Sequence, residues 1–359
     1  MLLQLLVEHF MSELSKITAK ESQVPILELR DLYVYYETKT KPVKAVDGVN
    51  IKIFKGDSLG LVGESGCGKS TLGFSILRLL KQNGRIKQGS IILTIEGKRV
   101  DLTKIPDNQI SQVRGQYVSM IFQAAQDALN PLQTIRDHLY DTLKAHVQNR
   151  EKFNQRIEEL LEELEIPKSR LDDRPFQFSG GMLQRISIAL ALILDPIVVI
   201  ADEPTTALDV LVQARILNIL KRLKEQYHLT LIFISHDLGV ISEISNKVFV
   251  MYAGQIVEFG ETAKIFKNPS HPYTQGLLGA VPNVKQPKKL NSIPGSPPDL
   301  INPPSGCRFH PRCPTAKMIC RKEIPSYWKT EDGTEVMCHI FNPEYEYSQE
   351  LIRDSNGNQ

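Results

Sequence analysis

Apolar residues along the chain follow two periodicities, and the switch between them predicts the architecture. From Ile26 to about Val62, short β-rich runs (ILELRDLYVYY, AVDGVNIKIF, DSLGLVG) alternate with Gly, Asp and Lys turns, which predicts a small antiparallel sheet feeding a strand. GESGCGKSTLGFSILRLLK then takes up helical spacing, with Leu72, Ile76 and Leu79 on one face. Between Asp101 and Leu171, strand-like YVSMIF precedes the amphipathic segments TIRDHLYDTLKAHV and NQRIEELLEELEI, a helical insert. A helix from about Gly180 to Leu194, the strand IVVIAD, a helix over VLVQARILNILKRLKEQY and the strand LTLIFISHD follow. Strands that are apolar throughout are buried on both faces, and their alternation with helices predicts a parallel sheet. The fold class is α/β.

Composition adjusts this picture. The length of 359 residues allows roughly two domains at ~150 residues each. After Val281 the chain turns Pro-rich and basic (NVKQPKKLNSIPGSPPDLINPPSG), which sets a boundary: residues 1–24 form an N-terminal extension, with Met11 an alternative start, 25–281 the main domain, with a helical subdomain at about 124–190, and 282–359 a C-terminal region. Lys plus Arg less Asp plus Glu is 43 − 41 = +2, so no bulk field marks a nucleic-acid binder. No apolar run approaches the ~18 residues that cross a bilayer. MLLQLLVEHF lacks the basic flank and small-residue cleavage site of a signal peptide, so the expected location is cytoplasmic. Of five cysteines, four fall within Cys307–Cys338.

Gly63, Glu64, Ser65, Gly66, Cys67, Gly68, Lys69 and Ser70 match G-x-x-x-x-G-K-[ST] between a strand and a helix. Such a loop wraps a phosphate with inward-pointing N–H groups, and the helix N-terminus adds partial positive charge. Lys69 is expected to span the β- and γ-phosphates, Ser70 to ligate Mg²⁺, and Thr71 to hydrogen-bond a phosphate oxygen. IVVIADE ends a buried strand at Asp202, where a carboxylate can hold Mg²⁺ through water; Glu203 is placed to orient or deprotonate an attacking water.

FSGGMLQR (Phe178–Arg185), followed by IVVIADEPTTALD and ISHD, gives the set its specificity: over residues 25 to 340 the chain resembles the ATP-binding subunits of ABC transporters. The resemblance implies a P-loop ATPase of ABC type, with a mixed sheet core, an antiparallel β subdomain, a helical subdomain and a small cysteine-rich C-terminal region. It implies that Ser179, Gly180 and Gly181 form a signature acting on the nucleotide of a second subunit, so that two chains sandwich ATP. Tyr36 matches the aromatic that stacks on adenine, with Tyr35 its alternative; Gln123 matches the glutamine that contacts Mg²⁺ and lines the groove where membrane subunits dock. Asp209 matches the aspartate coupling the two sites, and His236 the histidine that reaches the γ-phosphate.

NPSHPYTQGLLGAVP (Asn268–Pro282) resembles a segment of the oligopeptide and dipeptide importer ATPases, a branch that includes nickel and glutathione importers, and FSGGMLQR is closer to its D-type than its F-type member. That implies a second ATPase subunit (an F-type partner, or a second copy), two transmembrane permease subunits, an extracytoplasmic solute-binding protein, and a peripheral position on the cytoplasmic face of the membrane. Cys307, Cys313, Cys320 and Cys338 are spaced C-x5-C-x6-C-x17-C, and four thiolates suit a [4Fe–4S] cluster or Zn²⁺. D-type subunits carry such an end linked to an iron–sulfur cluster, which ranks first; zinc and no metal are the alternatives. His310 and His339 could replace a ligand, and Arg308, Arg312 and Arg321 would offset thiolate charge. Cys67, inside the phosphate loop, is either a small tolerated side chain or a thiol whose modification blocks nucleotide. The competing class, a soluble ABC-type ATPase not coupled to transport, would carry long coiled-coil insertions or two fused cassettes, and neither is present in this sequence.

Overall fold

The computed structural model of the chain describes residues 24–123, 125–146, 151–280 and 293–343. The N-terminal extension before residue 24, the predicted boundary after Val281 and residues 283–292 of the Pro-rich stretch lie outside the described residues.

Two sheets carry the fold. Strands β1 (Leu27–Tyr36), β2 (Val43–Ile53), β4 (Gly84–Ile95) and β5 (Lys98–Asp101) form an antiparallel sheet of order β2-β1-β4-β5. The tight turn between β4 and β5 is Glu96–Gly97, both at positive φ as a two-residue hairpin requires. The second sheet has eight strands in the order β11-β12-β10-β9-β3-β8-β7-β6. Its parallel core is β3 (Ser58–Val62), β6 (Val118–Ile121), β7 (Val198–Asp202), β8 (Thr230–Ile234) and β9 (Lys247–Tyr252); β10 (Gln255–Glu261), β11 (Tyr327–Lys329) and β12 (Glu335–Met337) extend it antiparallel. Every residue of β3, β6, β7 and β8 is buried, which explains their unbroken apolar sequences. Alternate residues face two cores: Val198, Ile200, Ile232 and Ile234 pack toward the antiparallel sheet, while Val199, Ala201, Leu231 and Phe233 pack toward the helices.

Helix α1 (Lys69–Ile76) follows the phosphate loop. It is shorter than its periodicity predicts: Arg78 takes a left-handed backbone, and Leu79 lies beyond the helix and is exposed instead of sharing a face with the buried Leu72 and Ile76. After α2 (Asp107–Ile110), helices α3 (Ile135–His146), α4 (Glu151–Glu163) and α5 (Gly180–Leu192) bring Leu139, Leu143, Phe153, Leu160 and Ile186 into one apolar cluster. The last of these stops two residues before the predicted Leu194, and Asp195 is left-handed. Helices α6 (Val210–Tyr227), α7 (Leu238–Ile244), α8 (Thr262–Lys267), α9 (Pro272–Gly279) and α10 (Met318–Lys322) are the remaining α-helices among the described residues.

Sheet register positions the chemistry. Leu61 and Asp202 both pair with Ile234, and Ile121 pairs with Ala201, so β3, β6, β7 and β8 end at one level. The phosphate loop, Gln123, Asp202–Glu203 and His236 leave the sheet side by side.

Candidate functional site

At those strand ends lies a cavity of about 520 Å³. Its floor is the phosphate loop, where Ser65, Gly66 and Gly68 face the space and Lys69, Ser70 and Thr71 open α1 beneath it. Gly68 is needed there: its φ is 112°, and a Cβ would sit 2.0 Å from the Ala45 carbonyl oxygen. Lys69, only 6% exposed, donates to the carbonyls of Gly63 (2.8 Å) and Glu64 (3.0 Å). Cys67 is buried under the loop, and burial pushes its thiol up despite neighbouring Lys69, so it is a protonated packing group there.

Ser70 Oγ donates to Asp202 Oδ1 at 3.0 Å. Asp202 is 2% exposed, and burial pushes its carboxyl up against the opposing effects of Ser70 and Lys69. A buried carboxyl facing a hydroxyl, with Gln123 at the same cavity, is a set of hard oxygen donors of the kind Mg²⁺ takes, so these residues fit the ion.

Glu203 is the hub of the opposite wall. Gln123 Nε2 and Thr206 Oγ1 donate to its Oε2 at 3.1 and 3.0 Å, and His236 Nδ1 lies 3.1 Å from its Oε1. Its backbone is left-handed, φ 46°, an uncommon state for glutamate that its N–H bond to the Ile234 carbonyl (2.9 Å) helps hold. Tyr36 lines the cavity with its hydroxyl 3.3 Å from Thr71 Oγ1, whereas Tyr35 turns to Asp47; of the two tyrosines, Tyr36 faces the site.

Ser179, Gly180, Gly181 and Asp209 are not brought to this cavity. Ser179 caps α5 by accepting from Met182 N–H, and Asp209 caps α6 by accepting from Leu211 and Val212 N–H. Both caps are exposed, on one face of the molecule, and Gly180 and Gly181 lie against Leu208 and Val212.

The four-cysteine metal site is not formed as expected. Among the described residues no group of three or more Cys, His, Asp or Glu side chains is placed to hold a metal ion. Burial pushes the Cys307 thiol up to about 11 and that of Cys338 to about 12, with the other tail thiols adding to each. The arginines expected to offset thiolate charge are committed elsewhere. Arg308 pairs with Asp47 and Arg312 with Glu64, while Arg321 is exposed. His310 Nδ1 and His339 Nε2 meet the carbonyls of Cys307 and Glu323. In this arrangement the described residues do not gather these thiols into a [4Fe–4S] or Zn²⁺ site.

Three contacts at the site escape the sequence reading. Thr206 is hidden as an ordinary residue of DEPTTALD; Leu300, which lines the cavity, and Arg312 come from a distant tail with no local signal.

Residues 46–206 match the ABC transporter family, and residues 257–320 match the oligopeptide/dipeptide transporter C-terminal region. The dipeptide transport ATP-binding protein DppD of Caldanaerobacter subterraneus is 43% identical over 321 residues, 88% of this chain and 97% of that protein. The oligopeptide transport ATP-binding protein AppD of Bacillus subtilis is 43% identical over 89% of this chain and 98% of its own length. Among solved structures, the ATP-binding cassette MJ0796 in a dimeric post-hydrolysis state bound to ADP and Pi superposes with a TM-score of 0.58 and 26% identity, over 66% of this chain and 98% of that one. A cavity built on a phosphate loop and an acidic strand end, with these relatives over nearly its whole length, places the chain in the ABC transporter family, among the ATP-binding, ATP-hydrolysing subunits of oligopeptide and dipeptide importers.

Proposed function

We propose that the chain is the D-type motor subunit of a di- or oligopeptide importer, with Glu203 as the base that activates water against ATP. The observation that carries this is the hydrogen-bonded set Gln123–Glu203–His236 facing the phosphate loop across one cavity. Lys69, now bonded to carbonyls of its own loop, would exchange them for β- and γ-phosphate oxygens. Glu203 Oε1 and Oε2 would hold and deprotonate the attacking water, Gln123 and Thr206 fixing the carboxylate's orientation, while His236 would donate toward the γ-phosphate. Ser70, Asp202 and Gln123 would hold Mg²⁺, which when bound neutralises phosphate charge. Tyr36 would stack on adenine. Ser179, Gly180, Gly181 and Asp209 would act on a second subunit's nucleotide, which their exposed position away from this chain's own cavity supports.

The relatives named for dipeptide and oligopeptide transport support the substrate class. An F-type ATPase subunit, two permease subunits and a solute-binding protein complete the importer. No helix among the described residues is long and apolar enough to cross a membrane, in keeping with a peripheral subunit on the cytoplasmic face. An apolar groove of about 230 Å³ beside Phe122, lined by Leu79, Ala128, Leu129 and Leu190, supports docking of a membrane subunit next to Gln123.

Glu203→Gln tests the assignment. The variant should bind ATP as the native chain does and lose about 10²-fold or more in turnover; phosphate release at the native rate would overturn Glu203 as the base. Co-purification with two polytopic membrane proteins tests the transport reading against a free ATPase.

A further inference from the structure

The tail of the chain meets the site in two places, behind the phosphate loop through Arg312 and at the cavity wall through Leu300. At the phosphate end, the Arg312 guanidinium grips the Glu64 carboxylate twice, Nη1 to Oε2 at 2.7 Å and Nη2 to Oε1 at 2.9 Å. Glu64 is the second residue of the phosphate loop, and its own carbonyl accepts from Lys69 Nζ. One residue is therefore tied to the tail by its side chain and to the loop lysine by its backbone. Arg312 is held in turn: its Nε donates to the Pro294 carbonyl at 2.8 Å, its guanidinium lies 5.8 Å from the centre of the Tyr252 ring, and it is only 8% exposed. A two-pronged guanidinium–carboxylate pair fixes orientation as well as distance, which a single lysine contact does not. The loop it holds is rich in glycine, and such a loop loses much conformational freedom when it closes on a phosphate. Restraint imposed before the ligand arrives lowers that cost.

At the other end, Leu300 lines the cavity with Tyr36, Val43 and Ala45. Its carbonyl accepts from Lys44 N–H at 2.9 Å, so the tail runs beside β2. Arg308 fastens the intervening segment through Asp47 and the Ala253 carbonyl.

We propose that tail residues 293–313 are part of the nucleotide site: Leu300 is an apolar wall for the base and ribose, and Arg312, acting through Glu64, is a positioning residue for the phosphate loop and Lys69. The proposal rests on the reading that ATP occupies this cavity. A wall that meets ground state and transition state alike changes KM alone, whereas a loop held out of place loses kcat as well.

The test uses the full chain, with a fluorescent ATP analogue for affinity, steady-state ATP hydrolysis for kcat and KM, and the melting temperature of the nucleotide-free protein as the measure of folding. Leu300→Ala should raise KM and the analogue's Kd about three- to tenfold with kcat unchanged. Arg312→Ala should lower kcat/KM about tenfold or more, with kcat contributing, and Arg312→Lys should recover only part of it. Glu64→Gln should reproduce the Arg312→Ala defect, and the double variant should be no worse than either single one, as expected of residues acting as a unit. Native binding and turnover in both Leu300→Ala and Arg312→Ala, with Lys69→Ala inactive, would overturn the tail's role and leave the cavity reading intact. Native binding in Lys69→Ala would instead sink the cavity reading itself. Should Arg312→Ala fail to fold, Glu64→Gln and Leu300→Ala decide: native kcat and KM in both would overturn the proposal.

Discussion

His271 illustrates how one buried side chain ties the tail segment to stability. It is 1% exposed; its N–H and that of Ser270 donate to the buried Glu258 carboxylate at 3.0 and 2.7 Å, its Nδ1 accepts from Tyr273 N–H at 3.0 Å, and its Nε2 has no hydrogen-bond partner among the described residues. The motif NPSHPY is thus an anchor: Tyr273, locked behind His271, holds the Glu64 N–H at 2.9 Å and so reaches the phosphate loop. Burial drives the imidazole from the ordinary 6.5 down to about 3. The unfolded chain takes up a proton near 6.5 that the folded chain refuses until about 3, so stability is lost as pH falls through that interval. Between pH 7.5 and 5.5 this single group should remove about 1.4 kcal/mol. Urea unfolding at the two pH values checks it. His271→Asn, which keeps an acceptor for Tyr273 N–H, should show a pH-dependent loss smaller by that amount, and an identical loss in both proteins would count against the histidine as its source.

Among the elements, the first turns of α5 and α6 approach each other closely at Gly181. A Cβ on Gly181 would lie 2.5 Å from Val212 Cγ1, which fixes why the second signature glycine carries no side chain. Gly181→Ala should cost about 1–3 kcal/mol by overpacking, and combining it with Val212→Ala should restore part of the loss. Equal, additive losses in thermal unfolding would show that the two helix starts do not press on each other. The strands and long helices of this region were legible from sequence because burial on both faces leaves an unbroken apolar run, as in VVIAD, and a half-buried helix leaves a periodic one, as in α6. Phosphate-loop and strand-end residues were legible for a related reason: their chemistry and their spacing occupy one short stretch each. The end of α1 was not, since Leu79 continues the apolar period past the left-handed Arg78 that breaks the helix. Nor were Arg308 and Arg312, whose carboxylate partners, Asp47 and Glu64, lie 261 and 248 positions away and leave no local pattern. Beside cysteines in the sequence they look like counter-charges for thiolates; in the fold the nearer carboxylates win, because charge-assisted pairs are strong.

At the scale of the whole molecule, an exposed apolar step follows Asp209. Val210 is 81% and Leu211 74% exposed, at the start of a helix that buries Ile216, Leu217, Ile219, Leu220 and Leu223 further along. Leu208 meets Gly180 there, so the signature serine, Asp209 and this apolar pair share one face, separate from the chain's own phosphate loop. The ATP sandwich proposed above would account for both features at once: a second subunit would cover the apolar pair and bring its nucleotide to Ser179. With a net charge of only +2, bulk electrostatics supply little of the attraction, so apolar burial would contribute to the association beside the shared nucleotide. Fully burying a valine or leucine contributes about 1.5–3 kcal/mol. Replacing both Val210 and Leu211 by Asp in the Glu203→Gln background should therefore weaken ATP-dependent dimerisation by roughly a hundredfold or more, read by sedimentation with ATP and Mg²⁺, alone and with the second ATPase subunit. Nucleotide affinity of the isolated chain should stay unchanged, because neither side chain lines the cavity. A variant that dimerises as tightly as its parent would place the partner on some other face and remove the reason for Ser179 and Asp209 to lie where they do.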